Sequence, residues 1–232
     1  MNPTWIKICG TTNVADALLA VEAGADAIGF VFAESPRRIE PGQAAEITAQ
    51  LPPGLEKVGV FVNERAAHIR WVVKQAGLTA VQLHGDEAAE FAANLFPEEE
   101  RPRLYRAVSM RTIFSAANVT ALLREHRTKP VFDALLVDSG SPTRGGTGLT
   151  FDWDRAQPFI TGLKKSGKVI VAGGLTPQNV ARAIALFRPW GVDVASGVER
   201  EPGKKDPDKL RAFVQAVRHG GVSGKPGVPS KP

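Results

Sequence analysis

A lone thiol, a carboxylate at the end of an apolar run and two glycine-bearing turns are the features of this sequence that could do chemistry. Cys9 lies in KICG (7–10), Asp138 closes DALLVD (133–138), Gly173 and Gly174 follow KVIVA (168–172), and Ser196 and Gly197 follow VDVA (192–195). A cysteine that ionises is a nucleophile or general base, whereas a buried free cysteine is more often a small apolar core residue. A carboxylate at an apolar strand end is costly unless it is paired, hydrogen-bonded or set in a cleft, where partial desolvation suits it to general-acid work; the bland reading is a turn cap before Ser139 and Gly140. Glycines let backbone N–H groups approach an anion, and a nearby helix N-terminus adds favourable potential. Either turn alone reads as a tight turn, and the two together read as a phosphate pocket.

Further candidates lie between these. Arg37 and Arg38 follow Ser35-Pro36, and a guanidinium there could clamp a carboxylate by two parallel hydrogen bonds or simply be solvated. His84 ends AVQLH (80–84) and either orients a ligand or bonds within its loop, and Asp193 falls in the last strand-like run. The histidines lack companions at metal-ligand spacing, and one cysteine makes neither a thiolate zinc cluster nor an internal disulfide. No metal site is expected, and a reducing, cytoplasmic setting is.

The elements that must position these groups alternate along the whole chain. Short apolar runs, rich in branched residues, occur at 5–9, 26–32, 57–62, 80–84, 104–108, 133–138, 168–173 and 192–196. Between them lie stretches such as 14–24, 64–77, 177–187 and 207–217, whose apolar residues recur at three- and four-residue intervals as in amphipathic helices. Gly24 and Gly77 suit left-handed C-caps, and Pro177 suits the first turn of its helix. Eight βα units with strands apolar on both faces predict an α/β fold, a single (β/α)8 barrel of eight parallel strands over 1–218. The segment 110–130 must supply a helix from a weak pattern. The Gly-, Pro- and Lys-rich stretch 219–232 has too few large apolar groups to order itself and is expected to be a disordered tail. In such a barrel the loops after the strands carry function, and Cys9, Arg37, His84, Asp138, Gly173, Gly174, Asp193, Ser196 and Gly197 all fall there or at a strand end.

Composition narrows the partners. With 232 residues, 43% hydrophobic and 23% charged, the chain has material for a large core. The net charge of +5 is spread among acidic residues with no basic, aromatic-interleaved stripe, which favours an anionic small molecule over nucleic acid. No basic-then-apolar leader and no run of roughly 18 apolar residues suggests a membrane. A monomer or homodimer fits equally well.

KICG (7–10), ADAIGFVF with SPRRI (25–39), VGVFVN (58–63), VQLHGDE (81–87), LLVDS (135–139), GGTGLTFDW (145–153), VAGGLTPQNV (171–180) and VDVASGVEREPGKKD (192–206) stand in one order along nearly the whole chain. This ordered set resembles the phosphoribosylanthranilate isomerase family of tryptophan biosynthesis. The resemblance implies a cofactor-free Amadori rearrangement of N-(5-phosphoribosyl)anthranilate to 1-(2-carboxyphenylamino)-1-deoxyribulose 5-phosphate. It implies Asp138 as general acid, Cys9 as general base, Arg37 (better aligned than Arg38) on the anthranilate carboxylate, Asp193 on sugar hydroxyls, and Gly173, Gly174, Ser196 and Gly197 on the phosphate; His84, from its strand-end position, is expected to join them as a substrate contact. Ala195 stands where some relatives have a second serine. Because the reaction needs a proton donor and an acceptor together, Asp138 is expected to hold its proton more tightly than a free aspartate and Cys9 less tightly than a free cysteine, with Lys7 on the same strand face. The rival readings are another phosphate-gripping barrel such as a pentose-phosphate epimerase, which usually needs acidic residues and a metal, and a non-catalytic phospho-ligand sensor.

Overall fold

The computed structural model describes residues 3–110, 131–140 and 150–220. The apolar runs form eight parallel strands: β1 (Trp5–Ile8), β2 (Ala27–Val31), β3 (Glu56–Phe61), β4 (Ala80–Leu83), β5 (Arg103–Ser109), β6 (Ala134–Asp138), β7 (Lys168–Val171) and β8 (Gly191–Val194). Each pairs with the next and β8 pairs with β1, so the sheet closes and leaves no edge to be capped. Branched and small residues dominate because both faces are covered, the outer by helices and the inner by the opposite wall.

The helices are α1 (Val14–Ala23), α2 (Pro41–Thr48), α3 (Ala66–Gln75), α4 (Ala89–Ala93), α5 (Trp153–Lys164), α6 (Val180–Phe187) and α7 (Pro207–Gly220). Their starts follow local chemistry. The Asn13 side chain accepts the Asp16 N–H at the head of α1, and the Asp152 side chain accepts the Arg155 N–H at the head of α5. On α6, Val180, Ala183, Ile184 and Phe187 are buried at helical spacing, which is the stripe that docks it on the barrel. No described helix is long and apolar enough to cross a membrane.

Gly24 and Gly77 do take the left-handed conformation, with φ of 97° and 58°. Pro177 does not open its helix. It lies in a turn, and α6 begins at Val180, because the Asn179 side chain accepts the Thr176 N–H and gives its own amide to the Gly174 carbonyl, tying the turn back to the β7 loop. After β8 a single 3-10 turn leads into an antiparallel hairpin, β9 (Glu199–Glu201) and β10 (Lys204–Lys205), that sequence periodicity does not reveal. The last helix runs to Gly220, two residues past the expected boundary at 218. The helix expected within 110–130 and the tail expected at 219–232 otherwise fall outside the described residues.

One apolar core lies between strands and helices, and a second fills the barrel's N-terminal end. There Trp5 stacks on Trp190 at 4.9 Å and meets Tyr105 edge-on at 5.9 Å. That aromatic floor closes the bottom, so polar groups higher on the same strands can open only toward the top.

Candidate active site

Period-two alternation decides what the top holds. Trp5, Lys7 and Cys9 share the inner face of the first strand and its extension, as Ala80, Gln82 and His84 share that of the fourth. Each sequence therefore climbs from apolar floor, through a buried polar level, to the rim. At the rim is a cleft of about 1200 Å³. Cys9, Arg37, His84, Asp138 and Asp193 line it from different strands, and Gly173, Gly174, Ser196 and Gly197 line the side made by the loops after β7 and β8. The nine site candidates named from sequence thus share one cavity, while Lys7 is fully buried. The GGTGLTFDW segment reaches the described residues only from Thr150 onward.

Cys9 is buried, with 7% of its surface exposed. Its backbone N–H donates to Val194 and its carbonyl accepts the Lys205 ammonium at 2.5 Å. A methyl group on Gly29 would lie 2.8 Å from Cys9 Sγ and 2.9 Å from Lys7 Cε, so the missing side chain on β2 is what admits both. The expected lowering of the thiol's proton affinity does not occur. Burial pushes Cys9 up, and the opposing charges of Lys7 and Lys205 do not overcome it, helped as burial is by Asp193.

Across the barrel, Asp138 ends β6 with 8% exposure. Its Oδ1 accepts the Gly140 N–H at 2.9 Å and faces the Ser139 hydroxyl at 3.5 Å, whereas Oδ2 has no partner among the described residues. Among the described residues the carboxyl is therefore held at one oxygen only.

Arg37 is not a solvated loop arginine. Its guanidinium is buried and grips Glu199 through Nε at 2.9 and 3.0 Å and Nη2 at 2.6 Å, leaving Nη1 without a partner among the described residues. Arg38 is largely exposed and pairs with Glu40. Glu199 also takes Lys205 at 2.8 Å and the Gly203 N–H at 3.3 Å. Burial alone would push Glu199 up, and its bonds to Arg37 together with the Lys205 charge outweigh this and hold the carboxyl below its usual range. Lys205 itself falls below the usual lysine value, because there burial outweighs Glu199. Neither Glu199 nor Lys205 was recognised as functional from sequence, since short hairpin strands carry no periodic signal. Phe32 and Phe61, stacked at 5.2 Å, line the same cleft and were also missed; they supply apolar lining.

At the glycine side, the N–H groups of Gly173, Gly174, Ser196 and Gly197 donate to no described residue. Gly197 is obligatory where it stands, because a Cβ there would sit 1.8 Å from the Leu175 carbonyl oxygen. That close approach brings the two loops together, so that donors without a described partner stand in neighbouring turns, an arrangement that suits an anion. No group of three or more His, Cys, Asp or Glu among the described residues is placed to hold a metal.

A closed (β/α)8 barrel whose strand-end loops gather a thiol, a carboxyl group, two glycine-bearing turns and an arginine in one cleft has the form of a barrel enzyme's active site. The sequence specifies more than that class. Residues 6–216 match the family model for N-(5'phosphoribosyl)anthranilate (PRA) isomerase, and the chain belongs to that family. It is 48% identical to the N-(5'-phosphoribosyl)anthranilate isomerase of Geotalea daltonii, over 93% of this chain and 97% of that one. Among solved structures, the phosphoribosyl anthranilate isomerase of Thermotoga maritima superposes with a TM-score of 0.80 at 41% identity, covering 92% of this chain and 98% of the other. A structure of that enzyme type in complex with reduced 1-(o-carboxyphenylamino)-1-deoxyribulose 5-phosphate is similar with a TM-score of 0.77 and 39% identity, over 92% and 98% of the two chains.

Proposed function

We propose that this chain isomerises N-(5-phosphoribosyl)anthranilate to 1-(2-carboxyphenylamino)-1-deoxyribulose 5-phosphate in tryptophan biosynthesis, with Asp138 as general acid and Cys9 as general base. The observation that carries the assignment is that Cys9 and Asp138 line one cleft from different strands, together with loops after β7 and β8 whose N–H groups have no partner among the described residues.

In this reading the phosphate lies on Gly173, Gly174, Ser196 and Gly197, where the described N–H groups replace the hydrogen bond a serine at position 195 would add. The aryl ring lies on Phe32 and Phe61 with its carboxylate toward Arg37 Nη1, and Asp193 takes sugar hydroxyls. Asp138 gives its proton to the ribose ring oxygen as the bond from C1 to that oxygen breaks, and a Schiff base forms between C1 and the anthranilate nitrogen. The Cys9 thiolate then takes the proton from C2, and the resulting enolamine tautomerises to the C2 ketone. No metal or redox partner is consumed. Of the rival readings, an epimerase finds no match in the paired thiol and acid, and a silent sensor would not need them.

The test is single-turnover fluorescence: phosphoribosylanthranilate is generated in situ and its disappearance followed with wild type, Cys9→Ser and Asp138→Asn. Rapid consumption by wild type and losses of roughly a hundredfold or more in each variant are expected. Variants as fast as wild type would sink the acid–base roles, and an inert wild type would sink the reaction.

A further inference from the structure

Beneath the rim a chain of polar side chains crosses the barrel and ends at His84. The Lys7 ammonium, fully buried, donates to Asp193 Oδ1 at 3.1 Å and to Gln82 Oε1 at 2.8 Å. An ammonium has donors and no acceptor, so only the oxygen of the Gln82 amide can face it, and the amide nitrogen must point the other way. That nitrogen lies 2.8 Å from His84 Nδ1. An amide nitrogen only donates, so Nδ1 must accept with its lone pair, and the proton of the neutral ring is on Nε2.

We infer that Gln82 is a positioning residue that fixes His84 as the neutral Nε2–H tautomer, so that His84 presents a hydrogen-bond donor to an oxygen of the bound phosphorylated aminosugar and does not act as a base. The inference rests on the proposed reaction for its substrate and on the hydrogen-bond chain alone for the tautomer. Three features support it. His84 lines the cleft with Cys9 and Asp138, and its Nε2 has no partner among the described residues. A doubly protonated ring would set N–H against N–H at Gln82. Burial drives the ring's proton affinity down, with Lys7 assisting, against the nearby charges of Asp138, Asp193 and Glu87. The Lys7 ammonium is the anchor that makes the amide orientation unambiguous. Burial opposes its charge, yet Asp193 and the Cys9 sulfur hold the ammonium above its ordinary value.

The inference predicts an opposite outcome for a near-isosteric change. In Gln82→Glu the carboxylate still meets Lys7 but accepts from His84, which moves the neutral ring's proton to Nδ1 and leaves a bare lone pair at Nε2. Only double protonation then restores the donor. With protein carrying 15N-histidine, long-range 1H–15N spectra distinguish the tautomers, and His84→Asn assigns the ring among the four histidines. Wild type near neutral pH is expected to show a pyrrole-type Nε2 and a pyridine-type Nδ1, and Gln82→Glu the reverse or a doubly protonated ring. At neutral pH kcat/KM for phosphoribosylanthranilate is expected to fall roughly tenfold in Gln82→Glu, about what one lost hydrogen bond removes. The ratio of variant to wild-type activity is expected to climb as pH falls and the ring gains its second proton, a recovery that damaged packing would not give. A wild-type ring protonated at Nδ1, or on both nitrogens, overturns the inference whether or not the variant folds. So does a Gln82→Glu protein with reversed tautomer and undiminished activity. If wild type has the Nε2–H ring but consumes no phosphoribosylanthranilate, the tautomer stands and the proposed reaction falls.

Discussion

Cys9 sits where two effects of opposite sign meet. The barrel floor and the glycine on β2 let the thiol pack out of water, and Lys7 and Lys205 approach closely enough to favour a thiolate. Burial is the larger effect, so the free site holds a thiol more than a thiolate at neutral pH. A base of raised proton affinity is used by a rising fraction of the enzyme as pH increases. The rate of Cys9 alkylation by iodoacetamide, and kcat/KM with it, is therefore expected to rise with pH through a midpoint above the ordinary thiol value near 8.5. A midpoint below that value, measured by mass spectrometry of the labelled peptide, would contradict the balance described. Position and residue type at Cys9 were readable from the sequence because strand ends in a barrel face the site. The sign of its shift was not, because it depends on how much water the surrounding strands exclude.

Among the elements, the loops after β7 and β8 are held by van der Waals contact with no slack. A Gly197→Ala methyl group collides with the Leu175 carbonyl, so one loop must retreat. The expected result is a destabilisation of about 1–3 kcal/mol, as for other overpacked sites, with a KM for the phosphorylated substrate that rises by more than kcat falls. Chemical denaturation and steady-state kinetics on the same protein check both, and an unchanged KM would remove these loops from the phosphate. Strands and most helices were legible at this scale: β4 and β6 fall within a residue of the apolar runs 80–84 and 133–138. Pro177 misled because a local proline rule lost to the Asn179 side chain, which reaches across its turn to Thr176 and Gly174. Gln82 was passed over as one polar residue in an apolar strand, although it shares a face with His84 by simple alternation. The β9–β10 hairpin could not be seen at all, since two of its contacts, Glu199 with Arg37 and Lys205 with the Cys9 carbonyl, join residues far apart in sequence.

At the scale of the whole molecule, those pairs sew the end of the described chain to its beginning. Glu199 holds Arg37 and Lys205, Lys205 holds the Cys9 carbonyl, and Thr12 donates to the Gly203 carbonyl. A carboxyl whose folded-state pKa is depressed stabilises the fold above its unfolded value near 4.3 and loses that contribution as pH falls through the folded value. Wild type is therefore expected to lose stability below about pH 4.3 in part through Glu199. Glu199→Gln should be weaker at pH 7 by about 3 kcal/mol or more, having stranded two buried cations, and should show a flatter acid limb. Thermal melts at pH 7 and in that acid window test both. Equal Tm values for the two proteins at pH 7 would show the triad to be energetically idle.

The same stitching has a consequence in time. Lys205 reaches Cys9 across 196 positions of sequence, and Arg218 of α7 donates to the carbonyls of Thr4 and Gly24. On a nascent chain the thiol is translated 196 residues before the lysine that fastens its carbonyl. Local βα units can form as they appear, but contacts of such long range close only at the end. During synthesis the thiol thus passes from an exposed, ordinary cysteine to a shielded one, and the window in which a cellular oxidant or alkylating agent can reach it ends when the hairpin locks into place.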